Sequence, residues 1–151
     1  MSFDLVVLSA AGPLSADAAR DAYRHVASGG QWSDVLQPDA RIAQFVAALS
    51  DRWPDFGELD ESPAYAMLSI SGSVPNEVTE FIESTALRLG LNLFDPQDYT
   101  LYSAGQEPRR ATPLPQMTLI CERCGKLIEP GTPHAESPRL MHMECLFQEL
   151  P

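Results

Sequence analysis

The hexapeptide FDLVVL, residues 3–8, decides how the first part of this chain folds. A short apolar run that contains β-branched residues is typical of a buried strand. Gly12 and Pro13 follow soon after the run, and these residue types favour a break in regular structure. We therefore predict a buried strand over residues 3–8, and the rest of the first domain is built outward from it.

Three amphipathic helices are predicted between residues 15 and 90. The first begins after Ser15, an N-cap residue type, and ends before Gly29. The second follows Asp39 and ends before Pro54, while the third begins at Pro75 and ends at Gly90. The residues of one mainly apolar face of each helix recur with helical spacing. They are Ala19, Ala22, Tyr23 and Val26, then Ile42, Phe45, Val46, Leu49 and Trp53, then Val78, Phe81, Ile82, Thr85 and Leu89.

Further strands complete an α+β fold. Residues 65–71 alternate in the manner of a strand, and residues 91–94 and 99–102 flank a turn of the type found in hairpins. Residues 55–63 are predicted to form an acidic loop. The order of elements predicts one small sheet covered by helices on one face.

Three segments with different compositions define the predicted domain organisation. Residues 1–103 form the acidic α+β domain. Residues 104–116 contain three prolines and no apolar periodicity, so a stiff, extended linker is predicted there. Residues 117–151 contain all three cysteines of the chain and are predicted to be a separate zinc-binding module.

The net charge of −11 restricts the classes of partner. An acidic surface repels nucleic-acid phosphates and anionic lipid headgroups, whereas it attracts a protein with a basic surface. The acids at positions 51, 55, 58, 60 and 61 could bind a divalent cation or a basic partner, but we favour a solvated acidic loop. No run of residues is apolar enough to span a bilayer. Since Asp4 stands where a signal peptide carries positive charge, we expect a cytoplasmic protein.

Two short cysteine motifs near the C-terminus predict a metal site. Cys121 and Cys124 form a C-x2-C pair, and His142 and Cys145 form an H-x2-C pair after seventeen intervening residues. Thiolate and imidazole ligands at such spacing are typical of tetrahedral Zn²⁺. Hairpin arms are predicted at residues 119–120 and 127–128, and a helix over 141–150 is predicted to present the second pair. This combination is treble-clef-like.

His134 is the alternate ligand in this module. It could replace His142, support the site from outside, or act as a catalytic base. Structural zinc sites are closed by four protein ligands, whereas catalytic sites keep a position for water. Because four candidates are available without His134, we favour a structural site and predict no catalytic residue.

The C-terminal motifs resemble two families of zinc finger. The C-x2-C and H-x2-C pairs resemble the first zinc site of a LIM domain. The sequences CGKLIxxG and HxxCLF, which begin at Cys124 and His142, are similar to the zinc fingers of poly(ADP-ribose) polymerases. The insert is shorter here and the surface is acidic, so DNA binding is not implied.

The N-terminal residues resemble a different group of proteins. The opening FDLVV, the RWPD at residues 52–55 and the LGLNLFDPQ at residues 89–97 are similar to small acidic bacterial proteins. Some of these occur beside polymorphic toxins and look like immunity proteins. The resemblance implies an immunity-like role and no catalytic residues.

The sequence therefore predicts a zinc-binding, non-enzymatic protein-interaction protein, immunity-like toward a basic partner. Two alternatives remain. One is a zinc-dependent hydrolase in which His134 or a nearby glutamate is the base. The other is a nucleic-acid-binding zinc finger that would use Arg109, Arg110, Arg123, Lys126 and Arg139.

Overall fold

A computed structural model gives the structure of residues 2–10, 12, 14–114, 119–120, 127–128, 134–135 and 141–142. The chain divides into two compact units, Met1–Thr112 and Pro113–Pro151. The first unit contains three α-helices and six strands, with a 3-10 turn at Trp32–Asp34. These elements are β1 (Ser2–Leu8), α1 (Ala16–Ala27), α2 (Ala40–Arg52), β2 (Gly57–Glu61), β3 (Tyr65–Ser71), α3 (Asn76–Arg88), β4 (Asn92–Asp95), β5 (Thr100–Ser103) and β6 (Arg109–Arg110).

The six strands form one antiparallel sheet in the order β2-β3-β1-β4-β5-β6. β1 lies inside the sheet and pairs with β3 on one side and β4 on the other. The α+β architecture and the hairpin of β4 and β5 are therefore confirmed. The strand predicted from FDLVVL is also confirmed, one residue longer than expected.

Helix ends follow the residues that satisfy free backbone groups. The Ser15 hydroxyl accepts a hydrogen bond from the Ala18 amide, and the Asp39 carboxylate accepts one from the Arg41 amide. These are N-cap bonds, which replace the hydrogen bonds missing in a first helical turn. Gly90 adopts a φ of +69° directly after α3, a conformation that glycine tolerates at a helix end.

The helices cover both faces of the sheet, so the prediction of helices on one face is wrong. α2 and α3 pack over one face, on Leu5, Val7 and Leu68 among others. α1 packs on the opposite face, where Val6, Leu8 and Phe94 lie. The reason is visible in β1, because four successive apolar residues, 5–8, are all buried and a strand points alternate side chains to opposite faces.

The acidic segment predicted as a loop over residues 55–63 contains a strand, β2. β2 pairs with β3 from Gly57 opposite Ile70 to Glu61 opposite Ala66, and it lies at the edge of the sheet. Its mainly polar sequence suits that place, because charged side chains on an edge strand discourage pairing with other chains. The polar composition concealed the strand from sequence patterning.

The predicted linker of residues 104–116 is wrong over residues 104–112, which belong to the first unit. Arg109 and Arg110 form β6, and the Ala111 amide donates to the Tyr99 carbonyl. The Thr112 amide donates to the Asp17 carboxylate at 2.7 Å, and the Arg20 guanidinium donates to the Thr112 carbonyl. Pairing with β5 makes residues 109–110 a sixth strand. The contacts to α1 hold Thr112, which follows that strand.

Two short strand pairs are described in the second unit. β7 (Leu119–Ile120) pairs with β8 (Leu127–Ile128), which confirms the predicted hairpin arms. β9 (His134–Ala135) pairs with β10 (Met141–His142). The helix predicted over residues 141–150 is therefore wrong for residues 141–142, and residues 143–150 lie outside the described residues. Apolar or ambivalent residues in so short a stretch do not distinguish a strand from a helix by periodicity.

Candidate functional site

The predicted zinc ligands fall mainly outside the described residues. Cys121, Cys124 and Cys145 belong to that undescribed part of the chain. What is described is the backbone around the first pair: Ile120 lies opposite Leu127 in the β7–β8 pair. The segment that contains both Cys121 and Cys124 thus starts and ends at neighbouring strand positions, about 4.5–5.5 Å apart in antiparallel pairs generally.

The two candidate histidines lie opposite each other. His142 of β10 is the register partner of His134 of β9. The two positions are therefore neighbours across one strand pair. Within the described residues, no three His, Cys, Asp or Glu side chains come together as a metal site.

The first unit carries an acidic half-face on its sheet. Register places Ser69 of β3 between Asp4 of β1 and Glu58 of β2. Asp60 lies two pairs further along β2, opposite Met67 of β3. Side chains at paired positions point to the same side of a sheet, so these five residues share one surface. We call Asp4, Glu58, Asp60, Met67 and Ser69 the acidic face.

The acidic face lies on the side of the sheet that also carries α1, but α1 packs mainly on β4, β5 and β6. The half of the sheet formed by β1, β3 and β2 keeps polar and charged side chains there. Glu58 and Asp60 are exposed, and Asp4, Met67 and Ser69 are half-buried. The residues of β1, β2 and β3 include no lysine or arginine, so no cation on these strands neutralises the carboxylates.

Hydroxyl groups hold two of the three carboxylates in place. The Ser69 hydroxyl donates to Asp4 at 2.5 Å, and the Tyr65 hydroxyl donates to Asp60 at 3.0 Å. Burial, together with the hydrogen bond to Asp60, raises the pKa of Tyr65. Burial and then the nearby Asp4 charge raise the pKa of Tyr23 on α1. The carboxylates are therefore held by neutral donors, which leaves their charge available to a partner.

Asp39 is the centre of a charge-assisted hydrogen-bond cluster. Its carboxylate accepts from the Arg41 guanidinium at 2.7 Å and from the Ala10 amide at 3.3 Å. Mainly because of the Arg41 hydrogen bonds, the pKa of Asp39 falls to about 2. Arg41 in turn donates to the carbonyls of Leu89 and Gly90. The cluster joins the start of α2 to the end of α3 and to the residues after β1, which is a structural role.

Sequence reasoning missed the acidic face, although it singled out Glu58 and Asp60. Asp4 is distant from them in the sequence and was weighed only as an argument against a signal peptide. The alternation of β1 and β3 could have placed Asp4 and Ser69 on the face opposite Leu5 and Leu68, but the pairing of β1 with β3 was not predictable from the sequence pattern.

Comparison with known proteins adds no assignment. No protein family model matches the chain, and no curated protein and no solved structure shows a significant match to it. Among the described residues, no helix is both long enough and apolar enough to cross a membrane.

Proposed function

We propose that this is a zinc-binding, non-enzymatic protein-interaction protein whose first unit binds a partner with a basic surface through the acidic face. The observation that carries the proposal is the register of Asp4 on β1 with Glu58 and Asp60 on β2, on either side of β3, where none of the three strands carries a cation. The sharpest form of the role is immunity-like: the acidic face would cover a basic active site on the partner.

Charge is the better candidate for the driving force than apolar burial. Among the described residues, Val35 is the only large hydrophobic side chain that is exposed, at 42%. Stable apolar interfaces use contiguous patches, and a single valine does not provide one. Complementary charge instead raises the rate of association, by about 10- to 1,000-fold in strongly steered pairs.

The acidic face also offers contact chemistry besides charge. Met67 supplies a flexible apolar side chain at its centre, a residue type that adapts to different partner surfaces. Tyr65 and Ser69 fix the carboxylates through their hydroxyls. Holding the acids in position reduces the side-chain entropy that binding would otherwise cost.

For the second unit we propose a structural Zn²⁺ held by Cys121, Cys124, His142 and Cys145, with His134 as the alternate to His142. The β7–β8 hairpin supports this, since it flanks the C-x2-C motif on both sides. The unit is also short, and segments below about 40 residues usually need a metal, a disulfide or a partner to fold. Zinc binding of about 10–16 kcal/mol in finger peptides would meet that need.

A matched pair of variants tests the acidic face. The first combines Asp4→Asn, Glu58→Gln and Asp60→Asn. The control combines Glu77→Gln, Glu80→Gln and Glu83→Gln on α3, whose three glutamates are exposed and which packs on the other face of the sheet. Both triple variants change the net charge equally, so any difference between them reports the location of the charge.

The measurement is affinity capture by the full chain at low and high salt, followed by surface plasmon resonance with each captured protein after its purification. We expect a basic partner that binds the wild type and the α3 control, and whose association rate falls about tenfold or more with the acidic-face variant. The absence of any salt-sensitive partner would contradict the proposal, as would equal losses in the two variants.

Zinc binding is tested by metal analysis of the full chain. Cys124→Ser should remove the stoichiometric zinc and the NMR dispersion of residues 117–151, while the signals of the first unit remain. His142→Ala should do the same, and His134→Ala should keep the metal. If the two histidine variants exchange these results, His134 is the ligand; if Cys124→Ser keeps its zinc, the ligand set is wrong.

A further inference from the structure

A second polar site lies in the first unit, away from the acidic face. It is a cleft of about 310 Å³ between the end of β1, the start of β4 and the segment that joins β5 to β6. Its wall includes Asn92, Ser103, Gln106 and Arg109. Pockets that bind small molecules begin at about this size and place a few polar groups in a mostly preformed wall.

A chain of hydrogen bonds fixes the polar groups of this cleft. One terminal nitrogen of Arg109, Nη2, donates to the Leu14 carbonyl at 3.2 Å and to the Ser103 hydroxyl at 3.1 Å. The Ser103 hydroxyl donates to Asn92 Oδ1 at 2.7 Å, and Asn92 Nδ2 donates to the Ser9 carbonyl at 3.3 Å. Asn92 is only 6% exposed. The cleft is therefore organised without a ligand.

Arg109 lacks a compensating charge. The other half-buried or buried arginines in the described residues, Arg20 and Arg41, are each paired with an aspartate. Arg109 forms no ion pair with a described residue, and its buried Nε atom has no hydrogen-bond partner among these residues either. A guanidinium that is partly removed from water and unpaired is costly, and such a group in a cleft is a candidate binding site.

We propose that this cleft binds a small carboxylate, which would pair with the Arg109 guanidinium beside Ser103 and Asn92. A carboxylate matches a single guanidinium in charge, and the hydrogen bonds of Arg109 to described residues use Nη2 and leave Nη1 for the ligand. A phosphate, with a charge of about −2 at neutral pH, would meet only one cation here in a protein whose net charge is −11. The carboxylate could belong to a free organic acid or to the C-terminus of a peptide.

Titration of the full chain by two-dimensional NMR tests the proposal. The probes are acetate, glutarate, inorganic phosphate, and an acetylated dipeptide as its free acid and as its amide. We expect saturable shifts of the Asn92 side-chain amide and of Arg109 Nε–H with the carboxylates, and none with the amide. If the dipeptide acid binds at least tenfold more tightly than glutarate, the natural ligand is a peptide end; similar affinities indicate a free acid.

Two arginine variants give the matched comparison. Arg109→Gln should weaken carboxylate binding by roughly tenfold or more, the range expected for a lost charge-assisted hydrogen bond. Arg110→Gln, at the exposed neighbouring position, should leave it unchanged. If Arg109→Gln does not fold, Arg109→Lys keeps the charge without the planar fork and should still weaken binding. Unchanged binding in the folded Arg109 variant, phosphate binding equal to that of the carboxylates, or no response to any probe would overturn the proposal.

Discussion

The two faces of the central sheet differ in what covers them, although the same strands form both. On one face, α2 and α3 pack over Leu5, Val7 and Leu68 and close an apolar core. On the other, α1 packs mainly on β4, β5 and β6, and the acidic face remains on β1, β2 and β3. The difference places the apolar core, which stabilises the first unit, on one side of the sheet, and the acidic face, which we propose binds a partner, on the other side.

The largest expected loss of stability comes from truncating a side chain in the apolar core between the sheet and helices α2 and α3. Phe45 of α2 is fully buried in the core between helix and sheet. Phe45→Ala should lower the free energy of unfolding by about 3–5 kcal/mol, because it removes apolar contact and leaves a cavity. Urea unfolding followed by circular dichroism measures this change.

The matched substitution on the acidic face is Met67→Ala. Met67 is half-buried, so its truncation should cost only about 1 kcal/mol, in proportion to the smaller apolar area lost from contact. If Met67→Ala destabilised the protein as much as Phe45→Ala, the acidic face would be part of the core and the contrast between the two faces would be wrong.

The next largest expected loss of stability comes from replacing Asp39, the N-cap residue of α2. This helix covers the apolar face of the sheet. Asp39 has a side chain that is only 7% exposed, and its folded pKa of about 2 lies below the ordinary value of 3.8. A lowered folded pKa stabilises the protein above the unfolded value, and that stabilisation is lost as pH falls through the folded value. Asp39→Asn should therefore cost about 2 kcal/mol at pH 7, and the difference from wild type should shrink between pH 4 and 2.

Asp51→Asn is the control for this prediction, because Asp51 is an exposed aspartate near the other end of α2. Its effect should stay within about 0.5 kcal/mol, as expected for an exposed surface change. A cost of Asp39→Asn that stays constant from pH 7 to pH 2 would show that the carboxylate charge does not stabilise the start of α2.

The closed face was largely predictable from the sequence, since it depends on local periodicity. The apolar stripe of α2 is a property of neighbouring residues, and the structure confirms it. The same holds for the N-cap at Ser15, which begins α1 on the other face. β2 and the segment of residues 104–112 were not predictable, because their order depends on distant partners. Glu58 pairs with Ser69, and Thr112 binds Asp17, and neither pairing leaves a periodic trace in the sequence.

The candidate sites also differ in whether local sequence or distant strand pairing determines them. The spacing of Cys121, Cys124, His142 and Cys145 predicts a metal site directly, since ligand chemistry and loop length are both local properties. The acidic face and the cleft at Arg109 depend on strand register, which brings Asp4 beside Ser69 and holds Arg109 opposite Leu101. Composition could indicate an acidic surface, but only the sheet order locates its charges.

The smallest expected effect on stability comes from the variant with the largest expected effect on binding. Asp4→Asn, Glu58→Gln and Asp60→Asn remove negative charge while they keep oxygen acceptors for Ser69 and Tyr65. Because like charges that lie near one another on the same surface repel, the triple variant should unfold within about 0.5 kcal/mol of wild type, on the more stable side at low salt. Repulsion between exposed charges is screened within about 3 Å at 1 M salt, so the difference should vanish there. A large loss of stability at both salt concentrations would mean that the carboxylates serve the fold, and the separation of roles between the two faces would not hold.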